Sequence, residues 1–193
     1  MPGGFPLALG GVIHDLRVKV EVHGAASSSA SRTIVIFPSF SHGSHVASNA
    51  DNPAPGWWED VVGPAKPIDT RHWRVICISV PGSPFSPTQP AAPCPQMGAP
   101  LRAAFPQLTP SDVARAHRAV LEAIGVTEPV HAVVGSSFGG MQALQYASLF
   151  PDLVKRLVAV SCTGRTTPFT MLVRRMQRRA ILADPGYHRC ATC

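Results

Sequence analysis

The residues best suited to chemistry are two adjacent serines at a glycine-rich turn, in the stretch GSSFG at residues 135–139. An apolar run precedes this stretch and apolar residues at helical spacing follow it, which predicts a strand, a tight turn and a helix. In such a G-x-S-x-G turn the central serine is lifted out of the sheet at the positive end of the helix. We therefore predict that Ser137 is a nucleophile, and that Ser136, which is off-centre, is not. Compact packing of small residues is the alternative.

A serine that attacks an acyl group also needs hydrogen-bond donors for the oxyanion that develops. The backbone N–H of Phe138 is one candidate, and the loop after the first buried strand supplies the other, the N–H of Phe40. The same loop contains His42 and His45. Loop histidines are commonly exposed polar residues, and neither follows the serine as a hydrolase-type base does. We expect both to lie outside the catalytic machinery.

The strands that position this turn are predicted by continuous β-branched runs, which are typical of strands covered on both faces. Strands that alternate with helices pair in parallel through right-handed crossovers. The sequence therefore predicts an α/β fold with a mostly parallel sheet and flanking helices. The predicted central strands are 33–37 and 73–80, the next two are 130–135 and 154–162, and a half-exposed strand covers 16–22.

The clearest helix covers residues 111–125, with Thr109 or Ser111 as its N-cap and Gly125 as its stop. Further helices are predicted at 141–151 and 168–185, and a short one at 56–63. The apolar stripe of the first helix consists of Val113, Ala116, Val120 and Ile124.

The composition favours one globular domain: the chain has 193 residues, and 45% of them are hydrophobic. Its net charge is +6. Most of the excess lies in six late arginines, which we interpret as a solvated helix face. Binding of an anionic cofactor or of nucleic acid is the weaker alternative, and no aromatic residues are interleaved for base stacking. We expect no nucleic acid and no membrane among the partners. The six are Arg165, Arg174, Arg175, Arg178, Arg179 and Arg189.

Five cysteines, an odd and scattered set, favour a reducing compartment. Cys77 and Cys162 lie in apolar runs that are typical of buried strands. The closing sequence HRCATC offers half a zinc site, so we expect no metal. The N-terminal residues lack the basic segment of a secretion signal, and prolines interrupt the longest uncharged run, so a cytoplasmic protein is expected.

Three blocks resemble the homoserine O-acetyltransferase family, a branch of the α/β-hydrolase fold. They are GSSFGGMQALQYASLFPDLVKRLVAV, RTTPFTMLVRRMQRRAILADPGY and GWWEDVVGPAKPIDTRHWRVICISVPGSPFSPTQP. The resemblance extends from about Gly11 to Tyr187, with Tyr187 where the family usually has Trp. The oxyanion loop, PSFSHGSH, departs from the family pattern, and so does Ser79, which stands where the family usually begins an Asn-x-x-Gly segment.

The resemblance implies a two-step transfer in methionine biosynthesis. Ser137 would take an acetyl group from acetyl-CoA and pass it to the hydroxyl of L-homoserine. Acetyl-CoA would be a co-substrate, with no permanently bound cofactor, and the partners would be small-molecule substrates and a second copy of the chain in a homodimer. A serine O-acyltransferase or esterase of the same fold, and a non-catalytic binding protein, are the alternatives.

The resemblance also divides the chain into residues 1–167, the N-terminal part of the hydrolase core, and 168–193, the start of a helical lid with an atypical tail. In the family, further strands and the triad Asp and His follow the lid, so both partners are expected to be missing here. After Ser137 the chain offers Asp152, Asp184 and His188, none at a catalytic position of the family. We expect little or no activity from this polypeptide alone, whether it is a fragment, a mis-spliced product or a short paralogue.

Overall fold

The computed structural model describes residues 3–24, 30–94 and 98–187, and within them a five-stranded sheet forms the centre of the protein. The strands are β1 (Phe5–Pro6), β2 (Val12–Ile13), β3 (Val20–His23), β4 (Thr33–Phe37), β5 (Val62–Gly63), β6 (Ile68–Asp69), β7 (Arg74–Ile78), β8 (Ala132–Ser136) and β9 (Leu157–Val160). The α-helices are α1 (Pro110–Ala123), α2 (Phe138–Leu149) and α3 (Pro168–Ala183).

The central sheet has the order β3-β7-β4-β8-β9. Strands β7, β4, β8 and β9 run parallel, and β3 pairs antiparallel with β7 at one edge. The prediction of an α/β fold with a mostly parallel sheet and flanking helices is confirmed. Because the carboxyl ends of parallel strands lie next to one another, the segments that follow β4, β7 and β8 meet there.

Strand β4 is buried throughout because both of its faces are covered, as its continuous β-branched run predicts. Val35 and Phe37 pack on one side with residues of α1 and α2, including Leu121 and Tyr146. Ile34 and Ile36 belong to the cluster on the other side, to which Trp57, Trp58 and Trp73 contribute. Alternation of side chains along a strand produces these two layers.

Helix α1 begins at a capping box. The Thr109 side chain accepts a hydrogen bond from the Asp112 N–H, and the Asp112 carboxylate accepts one from the Thr109 N–H. The predicted stripe is correct at Val113 and Ala116 but wrong at Ile124. The helix ends at Ala123, and Ile124, as its C-cap, is 37% exposed.

Three other predictions need correction. Residues 56–63 form turns and β5 instead of a helix, because the Trp57 and Trp58 N–H groups donate to the carbonyls of His45 and Val46. The predicted strand at 16–22 pairs with β7 only over Val20–His23. Cys162 lies beyond the end of β9 and is half-buried, whereas Cys77 is buried in β7 as predicted.

The last described elements are exposed. All four residues of β9 are exposed, including Val158 at 45% and Val160 at 42%. The next helix, α3, starts from a Thr167 cap, and Phe169 and Met176 on its surface are 74% and 62% exposed. The division of the chain at residue 168 stays a prediction.

Candidate active site

Ser137 lies at the junction of β8 and α2 with a backbone that L-residues rarely adopt. Its φ is 55° and its ψ is −121°, and its side chain is exposed. Two hydrogen bonds hold this conformation, since its N–H donates to the Val160 carbonyl at 2.9 Å and its carbonyl accepts from the Met141 N–H at 3.2 Å. A strained backbone of this kind costs about 1–3 kcal/mol and is typical of functional sites.

Two glycines make this turn sterically feasible. A Cβ on Gly135 would stand 2.1 Å from the carbonyl oxygen of Gly139, and one on Gly139 would stand 2.0 Å from the oxygen of Phe37. Any larger residue at either position would separate helix α2 from the strands that carry it. The glycines of the motif therefore fix where the serine is presented.

The loop after β4 lies next to the turn that carries Ser137, because β4 and β8 are parallel neighbours. The Phe40 ring contacts the Phe138 ring edge-on, with centroids 6.1 Å apart. Within the described ranges, neither the Phe40 N–H nor the Phe138 N–H has a hydrogen-bond partner. Phe138 is the first residue of α2, so its N–H is one of the donors a helix leaves unpaired. The structure thus brings the two residues together, and their role as oxyanion donors stays a prediction.

The two loop histidines have other contacts. His42 accepts or donates a hydrogen bond with the Ser39 hydroxyl and stacks on Trp57 with centroids 4.9 Å apart. His45 uses both ring nitrogens, Nδ1 with the Glu21 carboxylate at 2.9 Å and Nε2 with the Ala54 carbonyl at 2.8 Å.

The contacts of His45 favour its doubly protonated form. The Ala54 carbonyl, with help from Glu21, raises the pKa of His45. A ring whose two nitrogens both donate has no lone pair with which to accept a proton from a serine. His45 therefore fastens the loop to β3 and is unsuited to be a base.

The acids that follow Ser137 lie elsewhere. Asp152 belongs to a single 3-10 turn between α2 and β9. It therefore lies near the amino end of β9, whereas Ser137 follows the carboxyl end of β8. Asp184 caps α3 and accepts a hydrogen bond from the Gly186 N–H at 2.7 Å. His188 lies outside the described residues. The Ser137 hydroxyl has no hydrogen-bond partner in the part of the chain that is described.

Sequence reasoning missed two fully buried polar residues that contact Phe37 or Pro38, next to the turn at residues 135–139, which we call the elbow. Gln142 donates from Nε2 to the Pro38 carbonyl at 2.9 Å. His117 stacks on Phe37 with centroids 4.7 Å apart, and burial lowers the pKa of His117 to about 4. The spacing of Gln142, three residues after Gly139 and hence on the same helix face, was the available signal.

Over residues 3–24, 30–94 and 98–187, no three His, Cys, Asp or Glu side chains converge as metal ligands would. Cys190 and Cys193 of the closing motif are outside these ranges. None of the helices in the same ranges combines the length and apolar composition needed to cross a lipid bilayer.

Comparison with protein families gives a match to the alpha/beta hydrolase fold over residues 32–185. A serine O-succinyltransferase of Xanthomonas campestris pv. campestris (strain B100) is 39% identical over 188 residues, which are 97% of this chain and 49% of that protein. An L-serine/homoserine O-acetyltransferase of Streptomyces lavendulae is 37% identical over 187 residues, 97% of this chain and 50% of its own. The chain thus spans about half the length of these curated relatives.

Solved structures agree. The homoserine O-acetyltransferase of Bacillus anthracis superposes with a TM-score of 0.87 at 30% identity, over 96% of this chain and 52% of that one. Esterase E22 gives a TM-score of 0.87 at 31% identity, over 97% and 53%. The expected resemblance to homoserine O-acetyltransferases is confirmed, and it extends to serine O-acyltransferases.

Proposed function

Since the chain belongs to the family of proteins with the alpha/beta hydrolase fold, we propose that it is an O-acyltransferase in which Ser137 carries the acyl group. The observation that supports this most is the backbone of Ser137 at φ 55°, which presents an exposed hydroxyl at the positive end of α2. A packing role would not require a serine in a strained conformation.

The proposed chemistry has two steps. The Ser137 hydroxyl attacks the thioester carbonyl of an acyl-CoA, the oxyanion rests on the N–H groups of Phe138 and Phe40, and the CoA thiol leaves. The hydroxyl of an amino acid then attacks the acyl-serine, which regenerates Ser137. The product is an O-acyl amino acid.

The serine needs a base in both steps, and the described residues give its hydroxyl no partner. Removal of the histidine or serine of a comparable triad lowers turnover by roughly a millionfold. We therefore propose that this polypeptide alone reacts slowly, and that activated esters reveal its chemistry better than CoA thioesters do.

L-Homoserine is the acceptor and acetyl-CoA the donor that we propose first. Relatives named as serine O-succinyltransferase and L-serine/homoserine O-acetyltransferase support serine as a second acceptor and succinyl-CoA as a second donor. On α3, Arg174, Arg175 and Arg178 line an open groove that would favour the anionic phosphates of CoA.

An esterase is the second candidate, because the likeness to esterase E22 is as close as that to an acetyltransferase. The two differ only in what discharges the acyl-serine, water or an amino-acid hydroxyl. A binding protein that uses the elbow for packing is the third.

Intact-mass analysis after incubation with p-nitrophenyl acetate, acetyl-CoA or succinyl-CoA tests the proposal. We expect one acyl adduct, fastest with the activated ester, which is lost in Ser137→Ala and retained in the matched variant Ser136→Ala. An adduct that persists in Ser137→Ala, or none on a folded chain, contradicts the enzyme hypotheses.

The trapped adduct then separates the candidates. Discharge by homoserine favours the first proposal, and discharge by serine favours the serine O-acyltransferase. Discharge at the same rate with water alone favours the esterase.

A further inference from the structure

Gln142 is a polar residue in an otherwise apolar position. It lies on α2, one helical turn after Gly139, and its side chain is fully buried. Its Nε2 donates to the carbonyl of Pro38, 104 residues earlier in the chain, at 2.9 Å. Its Oε1 is buried and has no partner among the described residues. The amide can make up to four hydrogen bonds, so this one bond is all that its polarity contributes here.

The bond reaches the loop at its first residue. Pro38 directly follows β4 and precedes Phe40 by two residues. A proline has no N–H, so its carbonyl is the only backbone group through which it can be held by a hydrogen bond. Gln142 occupies that group.

Two further contacts connect the end of β4 and the loop after it to helix α2. Gly139 packs its backbone against the carbonyl of Phe37, and the Phe40 and Phe138 rings meet edge-on. These contacts are apolar or steric and lack the directionality of a hydrogen bond. The hydrogen bond from Gln142 is directional and fixes the orientation of the Pro38 peptide group.

We infer that Gln142 is a positioning residue, which holds the loop that carries Phe40 in register with the helix that begins at Ser137. This inference rests on the proposed function, because the loop matters for catalysis only if Phe40 and Phe138 bind an oxyanion. Such donors must lie about 2.7–3.1 Å from the developing charge, a window only about 0.4 Å wide. A shift of about 1 Å in a catalytic arrangement costs on the order of a hundredfold in rate.

The first measurement is amide hydrogen exchange, given as protection factors, for residues 39–42, where the His42 N–H donates to the Ser39 carbonyl, and, in the same sample, for β7. In Gln142→Met, which fills the space without a donor, we expect protection in the loop to fall about three- to tenfold, the effect of one hydrogen bond. Protection in β7 should change less, which shows that the chain is folded. Gln145→Met, the same change at a half-buried position of the same helix, should leave the loop unaltered.

Gln142→Glu supplies a readout that packing alone would not move. A protonated carboxyl donates to the Pro38 carbonyl, whereas a carboxylate cannot. Loop protection in this variant should therefore recover as the pH falls through the pKa of the new carboxyl, and Gln142→Met should show no recovery. Equal behaviour of the two variants at every pH would overturn the inference.

The affinity for phenylboronic acid tests whether Gln142 affects the site that would bind the oxyanion. The Ser137 oxygen bonds to the trigonal boron, its proton passes to water, and the boron becomes tetrahedral and anionic, like the oxyanion. We expect affinity to be lost in Ser137→Ala, to fall about three- to tenfold in Gln142→Met, and to be unchanged in Gln145→Met.

The two failures are distinguishable. If loop protection falls in Gln142→Met but the boronic acid never binds in a Ser137-dependent way, the proposed function is wrong. The inference that Gln142 holds the loop is then still correct. If the boronic acid binds through Ser137 and Gln142→Met alters neither affinity nor loop protection, the inference about Gln142 is wrong and the proposed function stands.

Discussion

Gly139 approaches the carbonyl of Phe37 so closely that a Cβ on it would stand 2.0 Å from that oxygen. The first turn of α2 therefore rests directly on the end of β4, backbone against backbone. This contact sets the distance between the serine at the start of the helix and the loop that leaves the strand.

The first prediction is that Gly139→Ala destabilises the protein. The added methyl group cannot displace a flexible side chain, since the atoms it meets belong to the backbone. We expect the free energy of unfolding to fall by about 1–3 kcal/mol or more, measured by urea denaturation. Gly164→Ala is the matched control, because nothing lies within 4 Å of its Cβ position. Equal unfolding midpoints for the two variants would show that the contact is looser than described.

The strained backbone of Ser137 gives a second prediction. Glycine accepts a φ of 55° without the penalty that serine and alanine bear. We expect Ser137→Gly to be more stable than Ser137→Ala by roughly 1 kcal/mol, the relief of strain less the greater chain entropy of glycine. Thermal unfolding measures this difference. Ser136→Gly and Ser136→Ala should show the opposite order, because Ser136 lies in β8.

His117 gives a pH-dependent prediction. Burial lowers the pKa of His117 to about 4, whereas the unfolded chain binds this proton near 6.5. As the pH falls between these values, the unfolded state gains a proton that the native state refuses, so stability is lost on acidification. The contribution is about 1.4 kcal/mol per pH unit within that window.

His117→Phe keeps the ring that stacks on Phe37 and removes the titration. The difference in unfolding free energy between this variant and the unaltered chain should therefore change steadily in the variant's favour from pH 6.5 to 4. Chemical denaturation at several pH values measures it. Parallel stability curves would mean that the pKa of His117 is the same in the folded and unfolded states, so that burial does not lower it.

The exposed β9 strand leads to a prediction about association. Within the described residues β9 pairs only with β8, and its side chains are apolar and exposed. Edges of this kind pair with other chains. We expect Val158→Lys to reduce self-association severalfold in sedimentation velocity.

Val22→Lys is the control for β9, since Val22 is 46% exposed on β3, at the opposite edge of the sheet. That edge already carries Lys19 and Glu21, and charges discourage strand pairing. A chain that stays monomeric at high concentration without either substitution would contradict the prediction.

Local patterns predicted what depends on local sequence. The continuous apolar run at Thr33–Phe37 predicted β4 within its observed bounds, and of the two predicted N-caps of α1, Thr109 and Ser111, the first is the one observed. The strand, turn and helix around Ser137 follow from the glycines and the periodicity on either side. Each of these elements is determined by neighbours in the sequence.

Long-range contacts decided the rest. The stretch around Trp57 and Trp58 has a helical pattern, but its N–H groups bond to the loop at His45 and Val46 and Gly56 lies against that loop. The bond from Gln142 to Pro38 spans 104 residues. Which distant carbonyl an amide will meet cannot be inferred from its own surroundings in the sequence.

Phe37 contacts two helices of the core and the turn that carries Ser137. Its ring contacts His117 of α1 and Tyr146 of α2, and its carbonyl supports Gly139 beside the serine. The elbow and the helices α1 and α2 therefore all pack against the same residue. Local fluctuations that open only the elbow should be rare, and the turn and the two helices should melt as one cooperative unit, with no separate low-temperature transition for the turn.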